Sequence, residues 1–165
     1  MDLHPAPAVR LNLGAGRRRL EGYLNVDLSS DPPPDIQADV RALPLPEAYA
    51  DEILAIHLLE HLHRWEAPAA LAEWRRVLKP GGMLVLELPD LMKCCRAVLR
   101  FDPPRLGLWG LFGDPNYENP LMCHRWGWSE AELRGELVAA GFSSVRFKEP
   151  KFHKPCRDMR AEARA

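Results

Sequence analysis

Leu11-Asn12-Leu13-Gly14-Ala15-Gly16, followed by Gly22-Tyr23-Leu24-Asn25-Val26-Asp27, is the stretch that decides the fold. Val9 to Leu13 reads as a short buried strand, and Gly14 and Gly16 break it. Glycines directly after a first strand let the backbone approach a ligand closely. Tyr23 to Asp27 is a second strand that ends on an acid, placed where a carboxylate can accept hydrogen bonds from ribose hydroxyls. Only about 11 residues separate Gly16 from Asp27, so the first helix is shortened to a turn or two, or absent. The third glycine of the dinucleotide fingerprint is missing, since Arg18 and Arg19 stand near its place.

Outward from this pair, strands and helices alternate. Asp31-Pro32-Pro33-Pro34 is a rigid turn, Ile36 to Asp39 a brief third strand, and Glu52 to His57 a fourth. Leu71, Trp74, Val77 and Leu78 recur at helical spacing within Glu66 to Leu78. Lys79-Pro80-Gly81-Gly82 stops that helix. Met83 to Leu88 (MLVLEL) has the continuous apolar character of a strand at the centre of a parallel sheet. Asp90 caps a helix to about Arg100. Phe101 to Trp128 reads as irregular, and its length points to a functional lid or to disorder. Ser129 and Glu132 form a capping box for a helix to about Ala140, Gly141 closes it, and Ser143 to Lys148 is a last strand. The tail over 149–165 is polar and basic, a candidate for partial disorder. The expectation is one α/β domain over 1–165, a three-layer sandwich around a Rossmann-like, mostly parallel sheet.

The 165 residues suit one domain, and the 47% hydrophobic fraction suffices for a core. A net charge of −1 and the lack of a long basic face argue against a nucleic-acid partner. Met1-Asp2-Leu3-His4-Pro5 shows no export signal, and no apolar run approaches the roughly 20 residues of a membrane span. A cytoplasmic location is expected. The four cysteines, Cys94, Cys95, Cys123 and Cys156, form no C-x-x-C pair and read as free thiols. A zinc site from Cys123, His124, His153 and Cys156 matches no common ligand spacing.

In order, LNLGAG, GYLNVD, ADVRALPLPEAYADEI, HLLEHL and EWRRVLKPGGMLVLELPDL resemble the class I S-adenosylmethionine-dependent methyltransferases. The similarity spans Val9 to Lys148 and is greatest to small bacterial methyltransferases often encoded beside cell-surface polysaccharide genes. It implies that S-adenosylmethionine lies along Asn12, Leu13, Gly14, Ala15 and Gly16, with Asp27 and Leu28 at the ribose. Asp39 and Val40 would meet the adenine, and His57 the methionyl group. Two departures stand out. Asn12 replaces the acid that most members carry, and only one strand is clear after Gly141, so its antiparallel partner comes from the tail around Phe152 or is missing.

Methyl transfer needs alignment, plus a base where the acceptor must lose a proton. His61 and His124 are the candidate bases, ahead of Glu60. His124, Arg125 and Trp126 are expected near the methyl donor, under a lid formed by Phe101 to Trp128. A small molecule or a glycan is the expected acceptor. Two other readings compete. One is a cofactor-binding module without turnover. The other takes His57-Leu58-Leu59-Glu60-His61 as the H-x-x-E-H motif of zinc peptidases. That motif lies within one helix, whereas His57 ends an apolar strand, so no metal is expected.

Overall fold

A computed structural model describes residues 7–100 and 104–165. Phe101 and the N-terminal residues Met1 to Pro5, read above for a signal, fall outside them. Seven strands form one sheet in the order β3-β2-β1-β4-β5-β7-β6. They are β1 (Arg10–Leu13), β2 (Leu24–Asp27), β3 (Ile36–Gln37), β4 (Ala50–Ile56), β5 (Leu78–Pro89), β6 (Ser143–Lys148) and β7 (Asp158–Arg164). β1 to β5 pair in parallel, and β7 runs antiparallel to both β5 and β6. The four helices are α1 (Ala67–Val77), α2 (Leu91–Arg100), α3 (Arg105–Phe112) and α4 (Glu130–Ala139).

The mostly parallel α/β sheet is the expected one. Among the described residues no helix stands between β1 and β4, so the first helix is absent. α1 buries Ala67, Ala70, Leu71, Trp74 and Val77, one helical stripe, against the main core. Its first turn holds a proline, where the missing N–H costs nothing. α4 starts at Ser129, whose hydroxyl accepts from Glu132 N at 3.3 Å. The capping box is only half closed, because the Glu132 carboxylate turns to Arg64 and Trp126. The opposite sheet face carries a smaller cluster of Leu54, Ile56 and Val85, backed by Leu20, Tyr23 and Met83 rather than by a helix. Beside it runs a ladder of opposite charges, Glu87–Arg160–Glu162–Lys148. The ladder runs from the exposed Lys148 inward to Glu87 and Arg160, which are buried and satisfy each other.

Three expectations change. The tail read as a candidate for disorder supplies β7, with Met159, Ala161 and Ala163 buried between β5 and β6. The missing strand partner is therefore Asp158–Arg164, not the chain around Phe152. Within the stretch read as irregular, Arg105–Phe112 is helical. Its glycines look like breakers but face α2: a Cβ on Gly110 would lie 2.3 Å from Cys94 Sγ, and one on Gly107 2.6 Å from Cys94 O. They are there for close helix packing. Finally, β5 begins at Leu78, and Lys79 to Gly82 form an irregularity in the strand rather than a helix stop.

Candidate active site

β1, β2, β4 and β5 all end at one edge of the sheet, the edge where open α/β sheets bind ligands. The β1–β2 connection lacks a helix and is held instead by buried amides. Asn12 Nδ2 donates to Asn25 Oδ1 at 2.9 Å and to Arg18 O at 2.8 Å, and Asn25 Oδ1 also accepts from Leu20 N. Asn12 therefore spends its donors on shaping the loop. Asn25 went unnoticed in the sequence because it sits inside a strand-like run. Gly14 has φ +63°, and a Cβ there would lie 2.7 Å from Leu58 Cδ1. At the end of β2, Asp27 accepts from Gly16 N at 2.7 Å and from Ser29 N at 2.8 Å.

Three cavities share walls along this edge. One of about 170 Å³ is lined by Gly14, Asp27, Leu28, Asp39, Val40 and His61, with Arg125 beside them. Another of about 500 Å³ follows the glycine loop, touching Asn12, Gly14, Ala15, Gly16, Arg18 and His57. The third, about 320 Å³, lies between His57, His61, His124, Trp109, Tyr117 and Met122. Leu13 lines none of them: it is fully buried and faces the core, opposite to its expected place. Asp39 is held by Arg41, whose Nε lies 3.0 and 3.1 Å from the two carboxylate oxygens. The Arg41 hydrogen bond keeps the Asp39 carboxyl below its ordinary range.

His57 follows β4 with φ +52°, a left-handed conformation that costs energy for a residue with a Cβ. Its Nδ1 lies 2.8 Å from Glu60 Oε1 and its Nε2 3.5 Å from Asp158 Oδ2. Burial works against a charge on His57, but Glu60 and Asp158 outweigh it and push the pKa up to about 9. Burial alone would raise Glu60, yet His57, with His61 and His124, holds it at about 2. Asp158, raised by burial, is likewise held at about 2 by His57 and Arg157. The His153 ring packs 4.1 Å from that of His57, and burial together with the neighbouring charge lowers it to about 4. His153 was weighed in the sequence only as part of a zinc set, and Asp158 had no signal, because β7 was not recognised and β4 lies far from it along the chain.

The peptidase geometry is not formed. His57 sits at a strand end, and Glu60 and His61 lie in a single 3-10 turn, Leu59–His61. Cys123 and Cys156 are exposed, and neither joins a cluster with His124 or His153 among the described residues. In the segment expected to be a lid, His124 lines the third cavity, whereas Arg125 turns to the first. Trp126 donates to Glu132, and Trp128 is fully buried core.

Comparison with known proteins agrees with this architecture. A family model described as "Methyltransferase domain" matches residues 15–86. A ubiquinone/menaquinone biosynthesis C-methyltransferase from Caulobacter vibrioides is 34% identical over 66% of this chain and 45% of its own length. The corresponding protein of Shewanella woodyi is 31% identical over 68% of the chain and 46% of its own length. The chain thus spans about half of these curated relatives. An S-adenosylmethionine-dependent methyltransferase from Archaeoglobus fulgidus superposes with a TM-score of 0.67 at 15% identity, covering 97% of this chain and 87% of that one. A Burkholderia thailandensis 1,6-didemethyltoxoflavin-N1-methyltransferase, solved with S-adenosylhomocysteine, gives 0.65 at 23% identity, with 96% and 71% covered. Residues 15–86 thus match a methyltransferase domain, and the fold is the one shared by class I S-adenosylmethionine-dependent methyltransferases, which makes S-adenosylmethionine the cofactor to set against this site. Among the described residues no helix is long and apolar enough to cross a membrane.

The cavities fit that cofactor. At Gly14 the backbone passes so close to Leu58 that no side chain has room, which opens the edge beside Asp27. Gly14→Ala is expected to cost about 1–3 kcal/mol of stability, from the left-handed backbone and the displaced Leu58. It should also weaken S-adenosylhomocysteine binding more than tenfold. Gly16→Ala, where a Cβ meets open space, should show the backbone cost alone. Thermal unfolding and calorimetry on the two variants check this.

Proposed function

We propose that the protein methylates a small molecule carrying a flat ring and an ionisable oxygen or nitrogen, with His61 as the base. One observation carries this reading: His61 lines both the cavity at Asp27 and Asp39 and the cavity at Trp109 and Tyr117, so the two chambers meet at its ring. S-adenosylmethionine, when bound, supplies an electrophilic methyl group. Asp27 would hold the ribose hydroxyls, Asp39 and Val40 would meet the adenine, and the Gly14–Gly16 loop would follow the methionyl part. The acceptor chamber pairs aromatic and apolar walls, Leu106, Trp109, Tyr117 and Met122, with histidines on the inner side. That mix orients a ring and leaves a few polar contacts. The quinone-pathway names of the curated relatives are consistent with such an acceptor.

His61 Nδ1 lies 3.3 Å from Cys123 O. A carbonyl only accepts, so Nδ1 carries the hydrogen and Nε2 keeps the lone pair that can take a proton. His61→Gln is expected to leave S-adenosylhomocysteine affinity within about threefold while lowering turnover about 100-fold. A panel of phenols, quinols and heteroaromatic amines with labelled methyl donor measures the turnover. Equal loss of cofactor affinity and turnover would make His61 a structural residue.

A further inference from the structure

We propose that His57, Glu60 and His124 bind one divalent transition-metal ion, of the zinc or iron type, in the wall of the acceptor chamber. The ligand atoms already converge. One nitrogen of each histidine and a Glu60 oxygen lie within 4.8 Å of one another, with His57 Nδ1 at 2.8 Å and His124 Nε2 at 3.9 Å from Glu60 Oε1. Nitrogen and oxygen ligands around a metal at 2.0–2.2 Å stand roughly 3 Å apart, so a small contraction closes the set.

The independent observation is Glu60 itself. It is 1% exposed, and neither of its carboxylate oxygens has a hydrogen-bond partner. His57 Nδ1 approaches as an ion-pair partner but leaves both Glu60 oxygens without an aligned hydrogen bond, so an ion would take the place of the proton that His57 otherwise holds there. A buried carboxylate is costly unless a cation meets it, and without an ion the neighbouring histidines, His57 first, are the groups that supply that charge. Arg157 is taken by Asp158, at 2.7 and 2.9 Å, and cannot serve.

The far side of His124 is arranged as in metal-binding histidines generally, while His57 Nε2 has a carboxylate near it without an aligned hydrogen bond. His124 Nδ1 lies 2.9 Å from Gly110 O, so it carries the hydrogen and Nε2 keeps its lone pair toward Glu60. His57 Nε2 faces Asp158 Oδ2 at 3.5 Å. Glu60 is held from behind, its own carbonyl accepting from Arg125 N at 2.8 Å. Two histidines and one carboxylate leave coordination positions open. His57 and His124 line the chamber with Trp109 and Tyr117, so the open side faces the acceptor. This is not the peptidase arrangement: Glu60 is a ligand, and His61 is not.

The ion's role rests on the methyl-transfer reading; its binding does not. An ion held by His57, Glu60 and His124 would make an acceptor oxygen or nitrogen more acidic, and His61 Nε2 would be the base placed to take its proton. The test is titration of the chelator-treated 165-residue chain with Co²⁺, followed by visible absorption and calorimetry. One Co²⁺ per chain is expected, with ligand-field bands and displacement by Zn²⁺. Glu60→Gln and His124→Ala should each weaken binding at least about 100-fold, and Cys123→Ser with Cys156→Ser should leave it unchanged. S-adenosylhomocysteine binding, read on the same samples, reports folding. If Glu60→Gln fails to fold, His124→Ala decides alone. Absence of Co²⁺ binding at millimolar ion with cofactor binding intact overturns the metal site and leaves the methyl-transfer reading standing. So does Co²⁺ binding that both variants retain, or that the cysteine variants lose.

Discussion

Asp27→Ala is expected to lose S-adenosylhomocysteine binding by at least about 100-fold, about 2.7 kcal/mol. Two effects combine. Hydrogen bonds to a charged carboxylate contribute roughly 1.5–3 kcal/mol each, and a ribose offers two hydroxyls. The same carboxylate also accepts from Gly16 N and Ser29 N, so its removal frees the glycine loop from the end of β2. Asp27→Asn keeps the shape and one acceptor oxygen, and should retain intermediate affinity. The residue is half-buried at a strand end, so both variants should fold. Isothermal calorimetry on the two variants separates the loss of the ribose partner from the loss of the loop anchor.

The second large effect is on folding. Ending the chain after Pro155 removes β7, and the truncated protein is expected to show no cooperative unfolding transition. β7 pairs with β5 from Met83 opposite Arg164 to Pro89 opposite Asp158, and carries β6 on its other side. Without it β6 has no strand to pair with, and Leu84, Leu86 and Leu88 lose Met159, Ala161 and Ala163 as sheet neighbours. Asp158 and Arg160 also go, leaving Glu87 without its buried partner. A typical domain is held together by only about 5–15 kcal/mol, so losing a strand from within the sheet is expected to abolish cooperative folding. Circular dichroism and thermal melting of the truncated chain check this. A shortened chain that melts cooperatively near the parent temperature would show β7 to be dispensable.

These two residue sets also mark where the sequence was readable. LNL, LNVD and MLVLEL were legible because strands of a parallel sheet are apolar on both faces, a strong local signal. α1 and α4 were legible from their apolar spacing and from Ser129. β7 was not, because one of its faces is charged even where it is buried. Met159, Ala161 and Ala163 alternate inward with Arg160, Glu162 and Arg164, and a strand built on alanine and charge has weak propensity. α3 was hidden by Gly107 and Gly110, whose packing role appears only once α2 is beside them. Of the site, the glycine loop, Asp27, Asp39, His61 and His124 could be picked out and do line the cavities, while Leu13 could not be told from core. The cluster of His57 with His153 and Asp158 joins β4 to the chain's end, and no local pattern announces such a contact.

A cofactor site at the carboxyl edge of the sheet is tested by titrating the folded 165-residue chain with S-adenosylhomocysteine in a calorimeter. One molecule per chain is expected, competed by S-adenosylmethionine and lost in Asp27→Ala. Absence of binding at millimolar cofactor, with the protein shown to be folded in the same sample, would contradict it.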